Sequence, residues 1–190
     1  LEFRRVLFRS DVLISDRTSF VRTVVGSISI ATGAGADNVI VGDIAVRHDA
    51  RIATGPGTDM VRAGVGLGIV TGGTLVVLGG SDDDMLSVKA DVGGGLRISA
   101  GSGVDLLGIF GSTVRGAMVI DACAGDDTVG IDHIEVGGIL TCRLGGGNDS
   151  LTLRRVRALA IWLYGGTGMN ALTIDAAAPR GVRWFQFQAV

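Results

Sequence analysis

A chain of 190 residues is long enough for one domain with a sizeable core. Its 17 Lys and Arg against 19 Asp and Glu leave a net charge of −2, which argues against the basic footprint of a nucleic-acid or anionic-membrane binder. Hydrophobic residues reach 47% while aromatics are only 5%, Gly numbers 32 and Pro only 2. Such a composition points to many short strands joined by tight turns, and no apolar run is long enough to span a bilayer.

The first ten residues, LEFRRVLFRS, contain no Gly and stand outside the pattern that follows. They resemble translated adapter or cloning read-through and are expected to be a foreign leader outside the fold. Residues 11–190 are expected to form one domain, cut at both ends.

From residue 33 onward a Gly-rich loop recurs: GAGAD (33–37), GPGTD (55–59), GSDDD (80–84), GSGVD (101–105), CAGDD (123–127), GGGND (145–149) and GTGMN (166–170). The last residues of these loops, Asp37, Asp59, Asp84, Asp105, Asp127, Asp149 and Asn170, are spaced by 22, 25, 21, 22, 22 and 21. The one longer interval holds about three extra residues around Val65–Gly73. A period of this length is the mark of a solenoid.

The flanks keep the same register. Two residues after each loop stand Val39, Val61, Leu86, Leu107, Val129, Leu151 and Leu172; four after stand Val41, Ala63, Val88, Ile109, Ile131, Leu153 and Ile174. Seven before the loop ends stand Ile30, Ile52, Val77, Ile98, Ile120, Cys142 and Leu163; nine before stand Ile28, Ala50, Leu75, Leu96, Met118, Leu140 and Ile161. All 28 of these positions are apolar, where 47% hydrophobic content would give about 13. They alternate with positions that accept Arg51, Arg97, Thr141 and Arg143, and period-two alternation describes a strand with one buried face. A third, less regular strand is expected at Ile44–Val46, Ile134–Val136 and Val156–Ala158. Three strands and three turns in about 22 residues predict an all-β, right-handed parallel β-helix of roughly seven coils, with equivalent residues stacked about 4.8 Å apart.

The loop glycines suit corners that need positive φ, and an Asp closing the loop can accept hydrogen bonds from its own turn. Cys142 falls in an apolar column and reads as a small core residue, whereas Cys123 occupies a loop Gly slot. His48 and His133 sit in polar corners; a neighbouring Asp132 should point away from His133, so neither histidine suggests a catalytic set. Outward positions of the late coils carry Arg143, Trp162, Tyr164, Arg183 and Phe185, a candidate surface patch for sugar or protein contact.

The loop with its following apolar pair, clearest in GGGNDSLTL at 145–153 and looser in GSGVDLLGI and CAGDDTVGI, resembles the hemolysin-type (RTX) calcium-binding repeat of secreted bacterial proteins. The longer path also resembles the pectate-lyase-type β-helix and the solenoids of bacterial surface proteins. The resemblance implies an extracellular or cell-surface location and calcium as the candidate cofactor. Its ligands would be Asp37, Asp59, Asp84, Asp105, Asp127 and Asp149, with Asp82, Asp83 and Asp126 adding charge. The expected role is non-enzymatic: a structural or adhesive segment whose partners are neighbouring coils or domains of the same protein, or a surface polysaccharide or protein. The alternative is a polysaccharide-active β-helix enzyme or a carbohydrate-binding solenoid.

Overall fold

The computed structural model describes residues 6–7, 12–15, 23–175 and 181–187, with side chains from residue 26 onward. Every regular element among them is a strand, and every strand pairing is parallel. No helix among the described residues is long and apolar enough to cross a membrane.

Strands before the loops build one nine-stranded sheet, running through Ile28–Ala31, Ala50–Pro56, Leu75–Ser81, Leu96–Ser102, Met118–Ala124, Ile139–Gly146, Ala160–Tyr164 and Val182–Phe185. Its first member is the pair Val6–Leu7, from within the first ten residues, which lies opposite Ile30 and Ala31. Strands after the loops build a ten-stranded sheet that includes Asn38–Val46, Leu106–Val114, Thr128–Val136 and Ser150–Arg157. Each strand pairs with its counterpart one coil away: Ile98 lies opposite Ile120, and Ile120 opposite Cys142. The result is a parallel β-solenoid of about seven turns.

The four apolar columns face inward. All their members are buried except Leu172 and Ile174, which are partly buried against the same core. The expected third strand exists, but mostly as the continuation of the second. A residue in left-handed conformation bends the chain at Asp43, Gly111, His133 or Arg155, and the strand runs on past it. Among the coils described without interruption, one breaks there, into Met85–Val88 and Ala90–Val92. Beyond the bend, Ile44, Val46, Ile69, Val92, Val114, Ile134, Val136 and Val156 complete the core. The three-residue insertion is absorbed as a bulge within Met60–Thr71, where the pairing register shifts around Gly42. Gly64, Gly66 and Gly68 all take positive φ in the bulge, and Leu67 is exposed at its tip.

The loop corner has a backbone reason. Both marked slots of each loop are left-handed in every turn, from Gly33 and Gly35 to Gly166 and Gly168, including Cys123 and Asp82 where Gly is absent. Consecutive loops lie so close that a methyl group on Gly145 would collide with the Cys123 carbonyl. Gly is therefore required there twice over, by dihedral and by approach.

Candidate functional site

The loop-end column is the most unusual arrangement in the molecule. Asp37, Asp59, Asp84, Asp105, Asp127, Asp149 and Asn170 are each no more than 6% exposed. They are not solvated caps of their own turns. From Asp59 onward each reaches to the turn before it: the backbone N–H of Asp37 donates to Asp59 Oδ1 at 2.7 Å, Asp59 to Asp84 at 2.8 Å, and Asp84 to Asp105 at 2.8 Å. Asp105 donates to Asp127 at 2.9 Å, Asp127 to Asp149 at 2.8 Å, and Asp149 to Asn170 at 2.9 Å. The second oxygen, Oδ2, of all six aspartates is buried and has no hydrogen-bond partner in the protein.

Burial is the main influence on five of these acids, Asp59, Asp84, Asp105, Asp127 and Asp149. It pushes Asp84 and Asp127 up to about 7, against the pull of the N–H bond each accepts, and the neighbouring carboxylates push the same way. Asp59, Asp105 and Asp149 are raised for the same first cause. The Thr54 hydroxyl beside Asp59, although turned to the carbonyls of Leu78 and Gly79, eases the rise there.

A second, exposed ladder lies one residue earlier and runs the other way. Val104 N–H donates to Asp83 Oδ1, Asn148 N–H to Asp126 Oδ1, and Met169 N–H to Asn148 Oδ1, at 2.7 to 2.9 Å. Asp82 accepts from Gly57 N–H at 3.1 Å. Between the ladders the loop backbones bond directly to each other. Gly103 N–H donates to the Ala124 carbonyl at 2.9 Å, Gly125 N–H to Gly146 at 2.8 Å, and Thr167 N–H to Gly145 at 2.8 Å.

This placement does not fit a calcium ion between consecutive turns. Calcium takes six to eight oxygens. Here the loop carbonyls are bonded to the adjacent turn, the column carboxylates face the interior, and the outer Asp83 and Asp126 are bound to backbone N–H groups. Among the described residues no group of three or more His, Cys, Asp or Glu side chains is disposed to hold a metal.

The outer face of the late coils carries the aromatic patch in two registered columns. In one, Ser99, Asp121, Arg143, Tyr164 and Phe185 follow coil by coil. Asp121 bonds Arg143 at 3.1 Å and also pairs with Arg97 at 3.1 Å. The Arg143 guanidinium lies 5.8 Å from the Tyr164 ring centre, and Tyr164 stacks on Phe185 with centres 5.3 Å apart. In the other, Trp162 lies opposite Arg183. The five predicted residues thus share one face. Trp184 stands opposite inward Leu163 yet is 56% exposed.

Cys142 is buried, and burial raises its thiol far above the ordinary range; Cys123 is exposed, and both are free thiols. His48 is exposed. At the bend, His133 departs from the expectation that it points away from Asp132. Its left-handed φ of 54° breaks the alternation and sets Nδ1 3.5 Å from Asp132 Oδ1. Arg155 grips Asp132 with two bonds, at 3.0 and 2.7 Å, and holds its carboxyl below the usual range. His133 and Arg155 line an open groove with Thr113, Glu135 and Arg157, and no nucleophile there is paired with a base.

Compared with protein-family profiles, curated proteins and solved structures, the chain shows no match.

Proposed function

We propose that this chain is a non-enzymatic structural or adhesive segment of a larger secreted or cell-surface protein, with neighbouring coils or domains of that protein as its main partners. The observation that carries the reading is the continuity of the stack. Inward columns fill the interior from Ile28 to Leu163, and the corners are closed by coil-to-coil bonds. Residues that an enzyme would gather at a cleft are here spent along the length of the rod. The extracellular placement is supported by the loop resemblance alone.

The second reading, a carbohydrate-binding or polysaccharide-active solenoid, is favoured by Arg143, Tyr164, Phe185, Trp162 and Arg183 on one face. Ring faces and guanidinium groups suit sugars. The Tyr164 and Phe185 rings, however, already cover each other.

The two separate in one experiment. The chain is incubated with acidic and neutral polysaccharides, and new reducing ends and gel retardation are measured. The structural reading expects neither. Sugar release or retardation that disappears in Trp162→Ala or Arg143→Ala replaces it with the second.

A further inference from the structure

Six carboxylates buried in one file need an account of their charge. Spaced about 4.8 Å apart, neighbouring anions would repel by about 0.9 kcal/mol in water and by more in the interior. All six have a bare, buried Oδ2, and the five from Asp59 to Asp149 each accept one hydrogen bond at Oδ1. Burying a charge in that state is the costly case.

The charged groups that face the file are themselves acids. Asp82 adds to the column neighbours at Asp59 and Asp84, Asp83 faces Asp105, and Asp126 faces Asp127 and Asp149. The preceding strand packs Thr32, Thr54, Gly79, Ala100, Ala122 and Leu144 beside the column, five residues before each Asp, and all are buried and uncharged. The ion pairs among the described residues leave the column out.

A second observation shows what the bare oxygen faces. A methyl group on Gly79 would collide with both Asp84 Oδ2 and the Ala100 carbonyl oxygen of the next turn. Two acceptor oxygens therefore border the same small space. A proton on Oδ2 would place a donor there, and Oδ1 would still accept the Asp59 N–H.

We propose that the aspartate column is a proton-binding ladder, shared between neighbouring turns, that tightens the solenoid in acid and loosens it toward neutral pH. Like-charge repulsion acts between nearest neighbours, so protonating alternate members relieves most of it. Asp84 and Asp127, each flanked by two column aspartates, are the positions where burial and neighbours act most strongly.

The sign follows from linkage. Asp84 and Asp127 hold protons in the folded state at pH values where the unfolded chain has lost them. Their stabilisation is complete below about pH 4 and is lost as the pH rises through about 7. Asp132, held low by Arg155, titrates below that window.

The test is a set of thermal melts of the whole chain from about pH 4 to about pH 8, with chelator and with millimolar calcium. Wild type is expected to lose several degrees in Tm across the range and to level off above about pH 7. The double variant Asp84→Asn, Asp127→Asn should flatten the fall, because Asn170 already fills this slot with the same Oδ1 bond. Carboxyl 13C NMR of wild type, which needs no variant, should show Asp84 and Asp127 titrating near 7. A level Tm with chelator, a fall that survives in the double variant, or carboxyls all titrated by about pH 5 overturns the proposal. A Tm that changes with calcium and not with pH overturns it in favour of a bound cation.

Discussion

Cys123 occupies a slot where the other six of the seven loops carry glycine, at Gly33, Gly55, Gly80, Gly101, Gly145 and Gly166, and it holds φ at 84°. A side chain in the left-handed region costs about 1–2 kcal/mol, because Cβ crowds the following carbonyl. Its Sγ lies 3.5 Å from the Ser99 hydroxyl, an exposed and weak contact. Cys123→Gly should therefore stabilise the fold, by up to about 1 kcal/mol after the larger backbone entropy of Gly is counted. Urea melts of the two proteins in reductant decide it; a lower midpoint for the Gly variant would mean that the thiol contact outweighs the strain. The same scale shows how local geometry escapes a pattern. Asp43, His133 and Arg155 bend the chain at one corner with φ near 50°. Gly111 takes the same dihedral at this corner in another turn, and Asp and His enter it more readily than most residues, but both types also fill many extended positions, so they mark no bend by themselves.

At the scale of the strand, face is set by parity. Leu140 is fully buried between Met118 and Ile161, while Arg97, one position off that parity two turns earlier, is exposed and pairs with Asp121. Leu140→Asp should cost more than about 4 kcal/mol, because it inserts an unpaired charge into a ladder with no polar partner. Arg97→Gln should cost less than about 1 kcal/mol, since Asp121 keeps Arg143. Comparable shifts in chemical denaturation would contradict the assigned faces. The four apolar columns were legible because period two and the 22-residue spacing reinforced each other. The inward turn of the aspartates was legible too, by the same rule, since stepping back two residues from Val39 lands on Asp37. That signal is hidden by chemistry: an acid beside a Gly-rich loop reads as a solvated edge or a metal ligand. Its burial depends on the N–H of the adjacent turn, a partner fixed by stacking rather than by local sequence. The calcium expectation rested on nine residues of resemblance, whereas the fit of an ion depends on whether neighbouring loops stand apart or touch. That distance is a property of the stack.

For the molecule as a whole, each turn contacts the turns on either side, so stability is nearly a sum of turns and interfaces. A core side chain flanked by two described turns should then matter more than its equivalent with one. Leu107 lies between Leu86 and Val129 and is 1% exposed. Leu172 occupies the same column beside Leu151 and is only partly buried. Leu107→Ala removes contacts on both sides and leaves a cavity the neighbouring strands cannot close, at about 2–5 kcal/mol. Leu172→Ala opens a site that solvent and nearby side chains can fill, and should cost about 1 kcal/mol. Hydrogen exchange adds the spatial reading: the Leu107 variant should lose protection in the turns around Leu86 and Val129, and the Leu172 variant only near Leu151. Equal costs with protection lost evenly along the chain would mean that the turns unfold as one block, and that the ladder of aspartates couples them over a longer range than contact between neighbours.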